Sequence, residues 1–148
     1  EADLHLPIRP GSDVALMNGL LHHCRQTGII DEDYLAAHVA VPQDFWDRLE
    51  EGNDLWSVAR SCDVPAADLR HFYELFAATP RTVTLFSQGI NQSTAGTDQV
   101  NAITNLHLAT ARIGIHLIDQ LADGMHTITD HQRRFTTGGG NQFITHHQ

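Results

Sequence analysis

Lysine is missing altogether. The nine basic residues are all arginine and stand against eighteen acids, for a formal net charge of −9 with His neutral. A chain so short of positive charge is poorly equipped to grip nucleic-acid phosphates or an anionic membrane, because that affinity comes from neutralised phosphates. Cysteine is nearly absent too. Cys24 and Cys62 are far apart in the chain and form no CxxC pair, so a disulfide framework, a zinc site or an iron–sulfur cluster finds no ligands here. Two reduced, buried thiols in a cytoplasmic-type protein are expected instead. No apolar run is long enough to cross a bilayer, and the opening "EADLHLPIRP" lacks the basic and apolar regions of a secretory leader. Neither GxGxxG nor a P-loop occurs, which removes support for a Rossmann or Walker nucleotide site. No spacing suggests a Ser/His/Asp or Cys/His catalytic set or paired carboxylates. The eleven His are scattered. The adjacent pairs His22–His23 and His146–His147 would diverge by about 100° on a helix and could not easily share one metal.

What the chain does have is enough for one packed domain: 148 residues, 41% hydrophobic and 18% charged. "ADLHLPI" alternates as a short strand closed by "RPG". Ser12 or Asp13 can cap a helix carrying Val14, Met17, Leu20, Leu21 and Cys24 at helical spacing, which Gly28 ends. "IIDEDYLAAHVA", "VPQDFWDRLEEG", "NDLWSVARSC" and "VPAADLRHFYELFAAT" read as successive helices, with Pro42 and Pro65 near two helix starts. The strand "RTVTLF" follows, then an uncharged polar loop. A helix from about Thr97 to Arg112 closes the series, with Val100, Ile103, Leu106 and Ala109 on one face. This order predicts an α/β fold: a helix-rich unit over a short parallel sheet, spanning residues 1–114. Residues 115–148 are His-, Gln- and Thr-rich, with one short helix expected near Ile115–Ala122 and weak order beyond it.

In α/β sheets ligands gather beyond the carboxyl ends of the strands. Two loops would open there. One is "RPGSD", with Gly11, Ser12 and Asp13. The other is "SQGINQSTAGTD", with Gln88, Asn91, Gln92, Ser93 and Thr94 between two glycines. The second loop has no titratable group before Asp98. Amides and hydroxyls offer paired donors and acceptors, which suit reading a base or pterin edge rather than moving protons. Gly89 and Gly96 permit close backbone approach, and a following helix N-terminus favours an anion. Asp13 reads either as a cap or first-turn acid, or as a carboxylate accepting two N–H groups from a guanine edge. Residues 56–76 also carry a helix-turn-helix pattern, but its second helix would offer DNA only Arg70 and His71 among Asp68 and Glu74.

"ADLHLPIRPGSDVALMNGLLHH", "RSCDVPAADLRHFYELFAATPRTVTLFSQGINQSTAGTD" and "VNAITNLHLATARIG" resemble consecutive parts of the catalytic subunit of bacterial assimilatory nitrate reductase, in the dimethyl-sulfoxide-reductase superfamily. The resemblance covers about residues 1–114, an interior slice of a longer enzyme. It implies a molybdenum ion held by two molybdopterin guanine dinucleotides and nitrate as the substrate. It also implies the remainder of the subunit and an electron donor as partners, with the iron–sulfur and molybdenum ligands lying upstream of Glu1. The loop Gly11-Ser12-Asp13 would then hold a guanine with the acid on the base, while Gln88 and Gln92 would face the pterin. No catalytic residue is expected in this stretch, and the chain alone would be inactive. A freestanding nucleotide-binding or interaction module is the alternative. Three departures from the resembled enzymes stand out. Gln88 occupies a usual Met position, Ala111 replaces the Gly of "ATGRIG", and no "TGQPNAMGG"-like motif follows residue 114.

Overall fold

The computed structural model describes residues 2–113 together with two short strands farther on, and among these residues there are seven helices, six of which bury side chains in one core. The seven are α1 (Asp13–Gln26), α2 (Glu32–His38), α3 (Phe45–Glu50), α4 (Leu55–Cys62), α5 (Ala66–Ala78), α6 (Gln88–Asn91) and α7 (Gly96–Ala109). Four two-residue strands accompany them. β1 (Val39–Ala40) pairs antiparallel with β4 (Ile144–Thr145), and β2 (Leu85–Phe86) pairs parallel with β3 (Ile118–Asp119). The fold is thus helix-rich with a short parallel sheet, as the element order predicts. The helix expected near Ile115–Ala122 is contradicted at Ile118–Asp119, which form a strand. The rest of that expectation, and the weak order expected beyond it, lie outside the described residues.

The opening strand does not form, and the reason is local. Leu4, Leu6 and Ile8 do turn inward between exposed neighbours, and Leu6 and Ile8 touch the core. But Pro7 has no N–H, Ile8 N–H bonds back to the Leu6 carbonyl at 2.9 Å, and Arg9 N–H donates to the Cys62 carbonyl at 2.8 Å. Few donors remain for a ladder. Alternation here records half-burial, not sheet pairing.

Helix starts and stops follow side-chain chemistry. Asp31 caps α2 by accepting from Tyr34 N–H at 2.8 Å, and Asp54 caps α4 by accepting from Trp56 and Ser57 N–H at 3.0 and 3.1 Å. Gly28 stops α1 at φ +73°, where Ile29 N–H reaches the Cys24 carbonyl. Asp63 plays the same part after α4 at φ +58°, and α5 starts just beyond Pro65. The α4–α5 pair is therefore a helix-turn-helix corner. The exposed face of α5 presents Asp68, Arg70, His71 and Glu74, two carboxylates against one guanidinium, which offers a phosphate backbone no net attraction.

The core is built between α1, α4, α5 and α7. Leu20, Leu21 and Cys24 on α1 meet Val58 and Cys62 on α4, Leu69 and Tyr73 on α5, and Leu106 and Ala109 on α7. Gly19 lets α1 press close: a Cβ there would collide with the Tyr73 hydroxyl and the Val58 methyls. α7 is buried nearly all round rather than along one stripe, with Ala102, Ile103, Leu106, Leu108 and Ala109 enclosed, which makes it the central helix. Both cysteines are free and buried, and burial pushes the Cys24 thiol up to about 11. They are packing residues, not nucleophiles.

Arg112 fastens the end of α7. One guanidinium nitrogen, Nη2, donates to the Phe76 and Thr79 carbonyls at 3.2 Å each, and the group sits 4.4 Å from the Phe76 ring centre. Beside it, His107 Nδ1 lies 3.4 Å from the Arg112 carbonyl and Nε2 lies 2.7 Å from the Thr84 hydroxyl. A carbonyl can only accept, so Nδ1 carries the proton and Nε2 accepts from Thr84. That assignment needs a neutral ring, and burial lowers the His107 pKa in the same direction.

Candidate cofactor-binding site

The first loop is a closed hook on the end of α4. Ser12 N–H and Ser12 Oγ both donate to the Arg9 carbonyl, at 3.1 and 2.6 Å, and the Cys62 thiol reaches the Ser12 carbonyl at 3.7 Å. The Arg9–Asp63 ion pair at 3.7 Å is solvent-exposed on both sides and adds little. Gly11 turns the hook at φ +83°, a conformation side-chain-bearing residues rarely adopt, and a Cβ there would meet nothing within 4 Å. Its outer face is open. Ser12 occupies the N-cap position of α1 but makes no capping hydrogen bond, its hydroxyl being spent on Arg9. The expected Ser12 cap is therefore not made. Asp13 is the first residue of α1, a half-buried first-turn acid favoured by the helix dipole.

The second loop is more ordered than its composition suggests, because α6 forms inside it. Ile90 and Asn91 N–H both bond the Ser87 carbonyl, and Gly96 N–H bonds the Ser93 carbonyl. Gly96 is needed for contact rather than for dihedral freedom: a Cβ would lie 2.5 Å from the Asn91 carbonyl oxygen. Gly89, by contrast, faces open space. Gln88 and Gln92 are exposed, and among the described residues their amides have no partner. The Asn91 Oδ1 is buried without one.

The two loops meet, though not through parallel strands as the sequence suggests. α1 packs along α7, and one side chain closes the gap. Gln99 Nε2 donates to Asp13 Oδ2 at 3.2 Å across 86 residues of chain, and Ser93 Oγ donates to Gln99 Oε1 at 2.6 Å. Asp13 thus joins the second loop by way of Gln99, while no hydrogen bond ties Gln88 or Gln92 to Gly11, Ser12 or Asp13. Gln99 was not singled out by the sequence reading, yet it carried a signal: it stands one turn before Ile103 on the apolar stripe of α7 and is only 3% exposed. A buried amide on such a stripe has bonding to satisfy.

A concavity of about 250 Å³ lies away from the two loops, along the C-terminal half of α1, lined by His22, His23, Asn53, Arg70, Tyr73 and Glu74 among others. His22 Nδ1 is held 3.0 Å from the Asn53 carbonyl. Burial lowers the His23 pKa, with Glu74 opposing. It shares no lining residue with the two loops. Among the described residues no group of three His, Cys, Asp or Glu converges to hold a metal ion, and no helix is long and apolar enough to cross a membrane.

Comparison with known proteins identifies the family. The chain is 42% identical over 115 residues to a nitrate reductase of Klebsiella oxytoca, covering 76% of this chain and 12% of that protein. It is 38% identical to a nitrate reductase of Shewanella frigidimarina, over 77% of this chain and 12% of the relative. It is 33% identical to the assimilatory nitrate reductase catalytic subunit of Bacillus subtilis, over 76% and 16% respectively. The chain therefore spans only about an eighth to a sixth of the length of these relatives. Residues 1–131 match the molybdopterin oxidoreductase family, and the chain belongs to it.

Proposed function

We propose that this chain forms one wall of the site for a molybdopterin guanine dinucleotide in an enzyme that reduces nitrate to nitrite. The observation that carries the reading is the bridge Ser93–Gln99–Asp13, which sets a carboxylate beside an amide-rich loop although the two are far apart in sequence. The residues suit the ligand. Among the described residues Asp13 Oδ1 makes no hydrogen bond and can accept from a guanine edge, and Gly11 leaves open space beside it. The exposed amides of Gln88 and Gln92 present donors and acceptors toward a pterin, and the orphaned Asn91 Oδ1 is an acceptor awaiting a donor.

When bound, the molybdenum centre would supply the two-electron oxygen transfer. This chain's own residues bind and orient; among the described residues none is placed to move a proton or attack a substrate. The metal ligand, the iron–sulfur ligands and the docking surface of an electron donor belong to the rest of the subunit, and the isolated chain is inactive. The same reading places the enzyme in the cytoplasm.

Replacing the matching stretch of the Klebsiella oxytoca nitrate reductase with residues 1–113 tests this. The chimera should retain molybdenum and reduce nitrate, and Asp13→Ala within it should lower molybdenum content about tenfold, the worth of a hydrogen bond to a charged group. Unchanged molybdenum content in Asp13→Ala would remove the guanine-reading role. Tight guanine-nucleotide binding by the 148-residue chain alone would instead favour a freestanding nucleotide-binding module.

A further inference from the structure

We infer that Gln99 is a positioning residue: it locks the Asp13 carboxylate to the loop at 87–95, so that one buried side chain sets the geometry of both ligand-facing loops. The inference rests on the nucleotide reading above for the ligand, and on the hydrogen bonds alone for the lock.

The direction of the bridge is fixed by chemistry. A carboxylate only accepts, so the Gln99 amide must turn Nε2 toward Asp13, which leaves Oε1 facing Ser93. The Ser93 hydroxyl has a single hydrogen and two acceptors in reach, Gln99 Oε1 at 2.6 Å and the Ile90 carbonyl at 3.0 Å. The shorter contact and the need of Oε1 for a donor commit it to Gln99. The bonds therefore run in one sense, Ser93 to Gln99 to Asp13. Flipping the amide would set Oε1 against the carboxylate and break the Asp13 end, while Ser93 could still accept from Nε2 and turn its own hydrogen to the Ile90 carbonyl. Gln99 is enclosed between α1 and α7, with Ile103 and Leu106 one and two turns on, so it can find no water to replace a lost partner. The consequence for binding is specific. Asp13 Oδ2 is held by Gln99 while Oδ1 makes no hydrogen bond among the described residues, and Ser93 is anchored directly after Gln92. Ser93 and Asp13 do not touch, yet a change at one is felt at the other.

The test uses the full 148-residue chain in solution and begins without ligand. The side-chain amide protons of Gln99, followed by nitrogen-15 NMR, should exchange slowly with water. Exchange should rise about tenfold or more in Ser93→Ala and in Asp13→Ala, as expected when a buried hydrogen bond opens. Ser93 is on the exposed loop, so its variant keeps the fold, which an unchanged backbone spectrum of the core helices checks. GMP is then titrated, with AMP as the control. GMP should shift the Gly11–Asp13 amides; Ser93→Ala should weaken it several-fold, and Gln99→Glu, which puts a second carboxylate against Asp13, more than Gln99→Leu at neutral pH. Gln99 exchange unaltered in both Ser93→Ala and Asp13→Ala overturns the lock. GMP binding that falls in Asp13→Ala but stays intact in Ser93→Ala and Gln99→Leu overturns the positioning role and leaves the nucleotide reading standing. Identical shifts from GMP and AMP overturn the guanine-reading role. Where neither shifts the isolated chain, the exchange data decide the lock, and the positioning role is decided in the chimera, where Ser93→Ala and Gln99→Leu must lower molybdenum content as Asp13→Ala does.

Discussion

Ala111 follows α7 with φ +51°, in the left-handed region where a Cβ crowds the following carbonyl. The chain accepts this because Ala111 N–H bonds the Leu108 carbonyl at 3.2 Å and the next residue, Arg112, is pinned by its N–H to the His107 carbonyl at 2.9 Å and by its guanidinium to the end of α5. The helix end is set by tertiary contacts, and the residue at the turn bears the strain. The resembled enzymes place glycine there, which supplies the same dihedral without a Cβ. Glycine also loses more freedom on folding, and the two effects partly cancel. Ala111→Gly should therefore raise stability by about 0.5–1 kcal/mol, read as a higher denaturant midpoint with an unchanged slope. A lower midpoint would mean that the turn imposes no strain.

Between elements, the tightest demand falls on the α1–α4–α5 junction. Helix propensity argues for alanine over glycine inside an exposed helix by about 1 kcal/mol. At Gly19 packing reverses that preference, because the added methyl would occupy space already taken by the Tyr73 hydroxyl and Val58. Tyr73 cannot yield freely, since it is almost fully buried and its hydroxyl points at the Leu16 carbonyl at 3.5 Å. Overpacking of this kind costs about 1–3 kcal/mol, so Gly19→Ala should destabilise the chain in urea unfolding despite its better helix propensity. Gly89→Ala, in open space within the exposed helix α6, is the control and should raise stability by up to about 1 kcal/mol. Equal effects at the two positions would show that propensity, not packing, governs α1.

At the scale of the molecule, several large apolar side chains face outward. Trp56 is 63% exposed and Leu85 67%, with Leu75, Val83 and Ile113 near half. Single exposed residues are ordinary, but Val83 and Leu85 lie on and beside a two-residue strand with few ladder bonds, the kind of edge that pairs with another chain. The 148-residue chain should self-associate as its concentration rises, with light scattering reporting a mass above 16.4 kDa. A compact monomer across the whole concentration range would count against it.

Much of this was legible in the sequence. Helical spacing, Gly28, Pro65 and the first-turn acids place the helices to within about three residues, because caps and periodicity are decided by neighbours in the chain. The misses are α7, which ends at Ala109 rather than Arg112, α3, which starts at Phe45 rather than at Pro42, and Val39–Ala40, a strand where the spacing predicts a helix end. The resemblance to a molybdopterin enzyme rests likewise on contiguous residues. Tertiary structure alone decided the rest. Alternation in residues 4–8 could not reveal that Pro7 and the Cys62 carbonyl leave a strand without a ladder. An amide-rich loop could not announce that it folds partly as α6. Nor could Gln99, one polar letter on an apolar stripe, disclose that its two ends meet Ser93 and Asp13. Ser93 is only six residues away, but Asp13 lies across the helix packing, and the hydrogen bond it accepts from Gln99 exists only once α1 and α7 have closed on each other.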